Sequence, residues 1–418
     1  MSIRRKHSEE ALQSDAAANG GRSYQQCAVS VMDTIHHPEI EFDESGSSQY
    51  PRIYDRLSKQ LNEGEAGKAA IEDFVQEMKA FGKGKKYDCL LGVSGGVDST
   101  YLALVAKRLG LRVLCVHFDN GWNSELAVQN INNIIDKCGF DLQTYVIDWP
   151  EFKDIQLAYF KAGVIDIEAV TDIAIFAALD KVALDTGARY ILDGRNVQTE
   201  CIMPSSWFDP KKSAINLINI HEKFGEKKLI NYPLNKYSIR KKKPKRLTSI
   251  PFLQSLDYDK TQAKKEIASE LGWRDYGGKH YESVFTRFYQ GYILPEKFGV
   301  DKRKAHLSNL IFSGQMSKDE AITELKSPIY SQEQLEIDFP FALKKLGFTE
   351  QEFYDYIDAP RIEHGAYHYF RPFWWDLPLA RRFRSESSLA DKKNQCKTRS
   401  TSLLKRLRRF EIAMAAFG

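Results

Sequence analysis

From Tyr87 to Gly194 short apolar runs alternate with stretches of helical periodicity, and this alternation restricts the fold more than any other feature of the chain. YDCLLGV (87–93), RVLCVHF (112–118), LQTYVIDW (142–149) and RYILDG (189–194) read as buried strands. Helices are expected from Ser99 to about Leu109, over 124–138, and from Thr171 to Thr186; Gly110 stops the first. Strands and helices in this order require right-handed crossovers, hence a parallel sheet covered on both faces. The expected fold class is α/β, a doubly wound parallel sheet spanning about residues 85–240.

A chain of 418 residues exceeds one compact core, so additions to that sheet are expected. Residues 1–22 are polar, rich in alanine and glycine, and expected to be disordered. A loop-rich N-terminal segment followed by helices fills 23–84, and amphipathic, proline-punctuated helices over 241–372 form an appendage expected to cover the sheet's ligand edge. A basic tail, 373–418, follows. The net charge of +4 is concentrated there: from Arg381 to Arg409 eleven Lys or Arg face only Glu386 and Asp391, so the remainder is mildly acidic. The tail and RKKKPKR (240–246) have little aromatic interleaving, which favours solvated charge over nucleic-acid binding.

No apolar run approaches the eighteen or so residues of a membrane span, and the opening residues lack the apolar core of a signal peptide, so a cytoplasmic location is expected. The six cysteines, at 27, 89, 115, 138, 201 and 396, form no CxxC pair. Cys89 and Cys115 lie within apolar runs, and all are read as reduced and structural.

The chemistry-bearing motif is SGGVDS, Ser94 to Ser99, between the first strand and its helix. Ligands of open parallel sheets sit beyond the strands' carboxyl ends, where helix N-termini offer unpaired N–H groups. Gly95 and Gly96 let successive amides converge on an anion; Ser94 and Ser99 add hydroxyls, and Asp98 can hold Mg²⁺ against phosphate oxygens. A glycine turn between strand and helix is the plain alternative, outweighed here by the whole hexamer at that junction. The lysine of GxxxxGK[ST] is missing, since no basic residue follows Gly96 before Lys107, and GxGxxG is absent too.

SGGVDS resembles the pyrophosphate loop of the N-type ATP pyrophosphatases, the PP-loop superfamily of GMP, NAD and asparagine synthetases and tRNA thiolation enzymes, with a Rossmann-like fold. The resemblance implies adenylation. The loop grips the β,γ-pyrophosphate of ATP, a substrate oxygen attacks the α-phosphorus, and no γ-phosphoryl group is transferred, which suits a loop without lysine. It implies ATP contacts at Ser94, Gly95, Gly96, Asp98, Ser99, His117, Phe118, Asp119, Gly194 and Asn196, and Mg²⁺ at Asp98 and Glu200. Asp172 is a weaker candidate, Asp119-Asn120-Gly121 also reads as an Asx turn, and Glu200 as a helix-dipole partner.

VMDT (31–34), EIEFDESG (39–46) and GWRDYGGKHYES (272–283) are similar to the N-acetyl sugar amidotransferases of bacterial surface polysaccharide synthesis, a similarity covering roughly 25–370. The implied reaction adenylates an acetamido group of a UDP-linked diacetamido sugar, then replaces its oxygen with ammonia nitrogen to give an acetamidino sugar. Asp98, Ser99, Lys279 and His280 are the catalytic candidates, and Lys279, His280, Glu282 and Arg287 the substrate contacts; Lys302 and Arg303 are cationic neighbours that also read as helix-surface charge. No glutaminase signature is found, so the resemblance implies a separate glutaminase and a cyclase-like ammonia-channel subunit as partners. The chain departs from the family at two CxxC pairs: it has CAVS (27–30) and SQYP (48–51), leaving Cys27 alone, so no zinc is expected and the segment must hold by packing alone or belong to an impaired member. The alternatives are a tRNA-modifying thiolase or amidating ligase of the same superfamily, and a nucleotide-binding scaffold without catalysis.

Overall fold

The computed structural model describes residues 3–5, 22–59, 61–62, 64–209, 214–234, 247–278 and 281–367. Helices α1 (Tyr50–Ser58) and α2 (Gly64–Gly82) precede β1 (Cys89–Gly92), α3 (Val97–Arg108), β2 (Val113–Asp119), α4 (Glu125–Cys138) and β3 (Asp141–Val146). Then come α5 (Trp149–Ala162), α6 (Ala169–Thr186), β4 (Tyr190–Asp193), α7 (Val197–Glu200), α8 (Ile215–Phe224) and β5 (Thr248–Pro251). The C-terminal helices are α9 (Lys260–Leu271), α10 (Val284–Phe288), α11 (Leu294–Phe298), α12 (Lys302–Phe312), α13 (Lys318–Leu325), α14 (Gln332–Leu346) and α15 (Glu350–Asp358).

The five strands form one sheet in the order β3-β2-β1-β4-β5, with every pairing parallel. Alternation places Cys89 and Leu91 with Val113 and Cys115 on one face, packed under α3, α4 and α9 through Leu102, Ile131 and Ile267. Leu90, Leu114 and Val116 point the other way, against Val182 and Ala183 of α6. The sheet is thus doubly wound, as the sequence pattern requires. A larger apolar cluster, including Trp122, Phe152, Tyr159, Phe285, Tyr289 and Phe353, joins α5 and α6 to the C-terminal helices. No helix among the described residues is long and apolar enough to cross a membrane.

Three local readings change. Helix α3 begins at Val97 rather than Ser99, putting Asp98 and Ser99 in its first turn at the positive end of the dipole. The run expected to be strand through Trp149 stops at Val146, because Asp148 caps a new helix, accepting from the Glu151 amide at 3.1 Å, with Pro150 in its first turn. Strand β5, only four residues long and just behind the basic run, was too short to declare itself. Residues 6–21, the run 240–246 and the tail beyond 367 lie outside the described residues.

The N-terminal segment is fastened by more than packing. Asp33 is fully buried; it accepts the Lys304 ammonium, the His36 and Ile35 amides at 2.9 and 3.1 Å, and the His36 ring at 3.0 Å. Burial alone would raise its pKa, but His36 and Lys304 hold the carboxyl well below the ordinary range. Lys318 donates to Cys27 and Ala28 carbonyls at 2.8 and 3.0 Å. Cys27 itself is buried, with the Ser48 amide 3.2 Å from Sγ; burial pushes its thiol up, and hydrogen bonds from Ser30 and Ser48 outweigh that and lower it.

Candidate active site

The loop departs from β1 at Val93 and turns through Gly95, whose φ of +82° belongs to the left-handed region. Gly95 also lies against α4: a Cβ there would stand 2.7 Å from the Ala127 carbonyl oxygen. Ser94 Oγ accepts the Gly96 amide at 3.2 Å, and Ser99 Oγ donates to the Gly96 carbonyl at 3.3 Å, so the two hydroxyls brace the turn. Three aromatic residues support it from behind. Trp273 Nε1 donates to the Gly95 carbonyl at 2.9 Å, the Tyr258 hydroxyl donates to Asp98, and the Tyr276 hydroxyl lies beside Gly96. Burial, then the nearby carboxylates, pushes both phenols far above their ordinary value: Asp98 and Glu200 act on Tyr258, Glu282 and Asp98 on Tyr276.

In front of the loop lies a cavity of about 380 Å³. Ser94, His117, Phe118, Asp172, Glu200, Glu282 and Lys302, all singled out in the sequence, line it. Gly194, just after β4, lies beside α3: a Cβ on it would make an ordinary contact with Asp98 Cβ at 3.6 Å. His117 bridges two strands' ends: Nδ1 is 3.1 Å from the Val93 carbonyl and Nε2 is 3.1 Å from Asn123 Nδ2. A carbonyl can only accept and an amide nitrogen only donate, so Nδ1–H is directed at Val93 and Nε2 accepts from Asn123.

Other candidates serve the framework. Asp119 closes the Asx turn, accepting the Gly121 amide at 2.8 Å and Asn123 Nδ2 at 3.0 Å. Asn196 is buried as the N-cap of α7, taking the Thr199 amide at 2.8 Å. Arg287 makes a two-pronged pair with Asp338 at 2.6 and 3.0 Å, away from the cavity lining, and Arg303 is held by Asp301 at 2.8 Å. Lys279 and His280 lie outside the described residues.

Sequence reasoning passed over Glu168, Thr171, Gln290, His306 and Asn309, which also line the cavity. For the last two a signal existed: Lys302, His306 and Asn309 recur at helical spacing and share one face of α12. The aromatic support of the loop had none, since Tyr258, Trp273 and Tyr276 reach it from more than 150 positions away.

The charge distribution of the cavity is uneven. Four carboxylates, Glu168, Asp172, Glu200 and Glu282, accompany the one lysine, Lys302. Asp98 and Glu200 both act on the Tyr258 hydroxyl, and hard carboxylate oxygens of this kind are the donors that would suit Mg²⁺. Among the described residues no group of three or more His, Cys, Asp or Glu is arranged to hold a metal by itself. No described cysteine lines the cavity, and burial pushes the Cys115 and Cys201 thiols up to about 12 and Cys138 up to about 11.

A parallel sheet with Ser94 of this loop on the wall of a cavity has the architecture in which α/β proteins place their ligands, beyond the carboxyl ends of the strands. Residues 88–197 match the model of the queuosine biosynthesis protein QueC, and residues 282–380 match that of the LPS biosynthesis protein WbpG-like, C-terminal domain. The chain is 32% identical to the glutamine-hydrolyzing GMP synthase of Aeropyrum pernix over 128 residues, 29% of this chain and 24% of that protein. Over 108 residues, 25% of this chain and 35% of the other, it is 29% identical to an uncharacterized protein of Methanocaldococcus jannaschii. The chain therefore spans only about a quarter to a third of the length of these curated relatives. The solved NMN synthetase from Francisella tularensis is similar over 32% of this chain and 56% of that one, with TM-score 0.26 and 16% identity.

Proposed function

We propose that the protein is an ATP-dependent amidotransferase that adenylates the acetamido oxygen of a nucleotide-linked sugar and replaces it with ammonia nitrogen, giving an acetamidino sugar. One observation carries this reading: Ser94, the first residue of the loop in the QueC-like segment, and Glu282, Gln290, Lys302, His306 and Asn309 of the WbpG-like segment line a single cavity. An amide carbonyl is a poor electrophile, and making an amidine requires its oxygen to leave; AMP is the leaving group that a pyrophosphate-releasing loop supplies.

In this scheme the amides after Ser94 and the hydroxyls of Ser94 and Ser99 receive the β- and γ-phosphates at the α3 N-terminus. Asp98 and Glu200 would hold Mg²⁺, which would neutralise phosphate charge when bound. The wall of His117 and Phe118 receives the nucleoside, and Lys302 offers a cation to the anionic acceptor. Ammonia comes from a separate glutaminase through a channel-forming partner. A thiolation reaction finds no support, because that chemistry needs an accessible, acidic thiol, and the buried cysteines of the sheet are the opposite.

The test is mass measurement on a panel of UDP-linked diacetamido sugars incubated with protein, Mg-ATP and ammonium. Replacement of one acetamido oxygen by NH, with AMP and pyrophosphate formed in step, is the expected result; neither change across the panel sinks the proposal. Asp98→Ala should abolish pyrophosphate release with the fold intact by circular dichroism, and retained release would remove Asp98 from the metal site.

A further inference from the structure

Two histidines line the cavity among the described residues, His117 and His306. His117 is committed: Nδ1–H is given to Val93, and its one remaining lone pair, on Nε2, faces Asn123 Nδ2, which also donates to Asp119. Both of its ring nitrogens are thus engaged within the wall. His306 sits on the cavity face of α12 with Lys302 one turn before it. The helix is fixed from two sides. Lys304, pointing elsewhere, is bound to buried Asp33, while Asn309 Oδ1 accepts the Cys201 and Ile202 amides at 3.1 and 3.2 Å. His306 is therefore presented to the cavity by a helix that cannot rotate freely.

We propose that His306 is the general base of the ammonia step, an assignment that rests on the amidation reading above. Attack of the amide oxygen on ATP leaves an O-adenylated iminium carbon. The ammonia lone pair forms the new C–N bond to that carbon, and the C=N pair retreats to the sugar nitrogen. The nitrogen that has attacked is now an ammonium, and the His306 imidazole takes one of its protons. The nitrogen pair then re-forms C=N, the C–O bond breaks with its electrons leaving on AMP, and an amidinium remains. Without that proton transfer the tetrahedral adduct returns ammonia, the better leaving group. Among the described residues the other titratable groups facing this space are the carboxylates Glu168, Asp172, Glu200 and Glu282 and the Lys302 ammonium. Carboxylates are ordinarily weaker bases than imidazole and an ammonium has no lone pair, whereas an imidazole titrates near neutrality.

The test separates the half-reactions, using the UDP-linked diacetamido sugar that wild type turns over. His306→Gln and His306→Ala are assayed for sugar-dependent ATP–pyrophosphate exchange and for ammonium-dependent AMP release. Exchange should stay within about threefold of wild type while AMP release falls about 100-fold or more, the usual contribution of a general base. Added imidazole should restore release in His306→Ala. Release near wild type in both variants, or an equal fall in both half-reactions without imidazole rescue, overturns the assignment. A wild type that amidates no sugar in the panel refutes the parent reading instead, so the two failures are distinct.

Discussion

Substituting alanine at each of the two loop glycines should produce opposite outcomes. At Gly95 the backbone sits at φ +82°, where a Cβ costs about 1–2 kcal/mol. The new methyl would also stand 2.7 Å from Ala127 O and 3.2 Å from Ala127 Cα, both main-chain atoms of a packed helix. Forcing such atoms apart costs about 1–3 kcal/mol, so Gly95→Ala should lose about 2–5 kcal/mol in all. Gly96 has an ordinary φ of −70°, and its Cβ would meet the side-chain ends Ser94 Oγ at 3.1 Å, Tyr276 Oη at 3.3 Å and Glu282 Oε1 at 3.7 Å. Gly96→Ala should cost less than about 1 kcal/mol of stability while crowding the hydroxyl that braces the turn, so ATP binding should weaken. Urea unfolding measures the first quantity and titration calorimetry with Mg-ATP the second. Equal unfolding midpoints for the two variants, or a Gly96→Ala protein less stable than Gly95→Ala, would refute the strain argument.

Two further perturbations probe the N-terminal segment. Burial, aided by Arg22 and opposed by Asp33, lowers the His37 imidazole from 6.5 to about 4. Between those values the unfolded chain binds a proton that the folded one refuses, so stability rises with pH across the window and is lost as pH falls through it, by roughly 3 kcal/mol. Melting wild type and His37→Phe at pH 7 and pH 5 should show a smaller pH response in the variant; an unchanged response would contradict the assignment. Lys304→Met strands the buried Asp33 carboxylate and should cost about 3–5 kcal/mol in urea unfolding, whereas adding Asp33→Asn should recover part of the loss. Additive losses would show that the two residues are not coupled.

What could be read in the sequence was local and periodic. The strands at 89–92, 113–119 and 190–193 announce themselves as apolar runs, and the Ser94–Ser99 hexamer announces its loop because glycine, hydroxyl and carboxylate recur at a strand-to-helix junction. Helix α5 was hidden because a strand-like run passes into it without a polar break other than Asp148. The support of the loop was hidden for a different reason: Trp273 and Tyr258 act through single hydrogen bonds across the fold, and nothing in GWRDY or LDYDK names their acceptors. The same limit explains the histidines. His280 drew attention beside two glycines, whereas His306 sits in an ordinary-looking helix, where only the 302/306/309 face marks it.

The tie between Asp33 and Lys304 joins positions 271 residues apart. During synthesis at about 5–20 residues per second, roughly 15–50 s separate the appearance of the acid from that of its cation. A carboxylate resists burial until it is paired. Residues 22–49, though made early, must therefore wait for α12 before they can close, and the first part of the chain to emerge is among the last to settle.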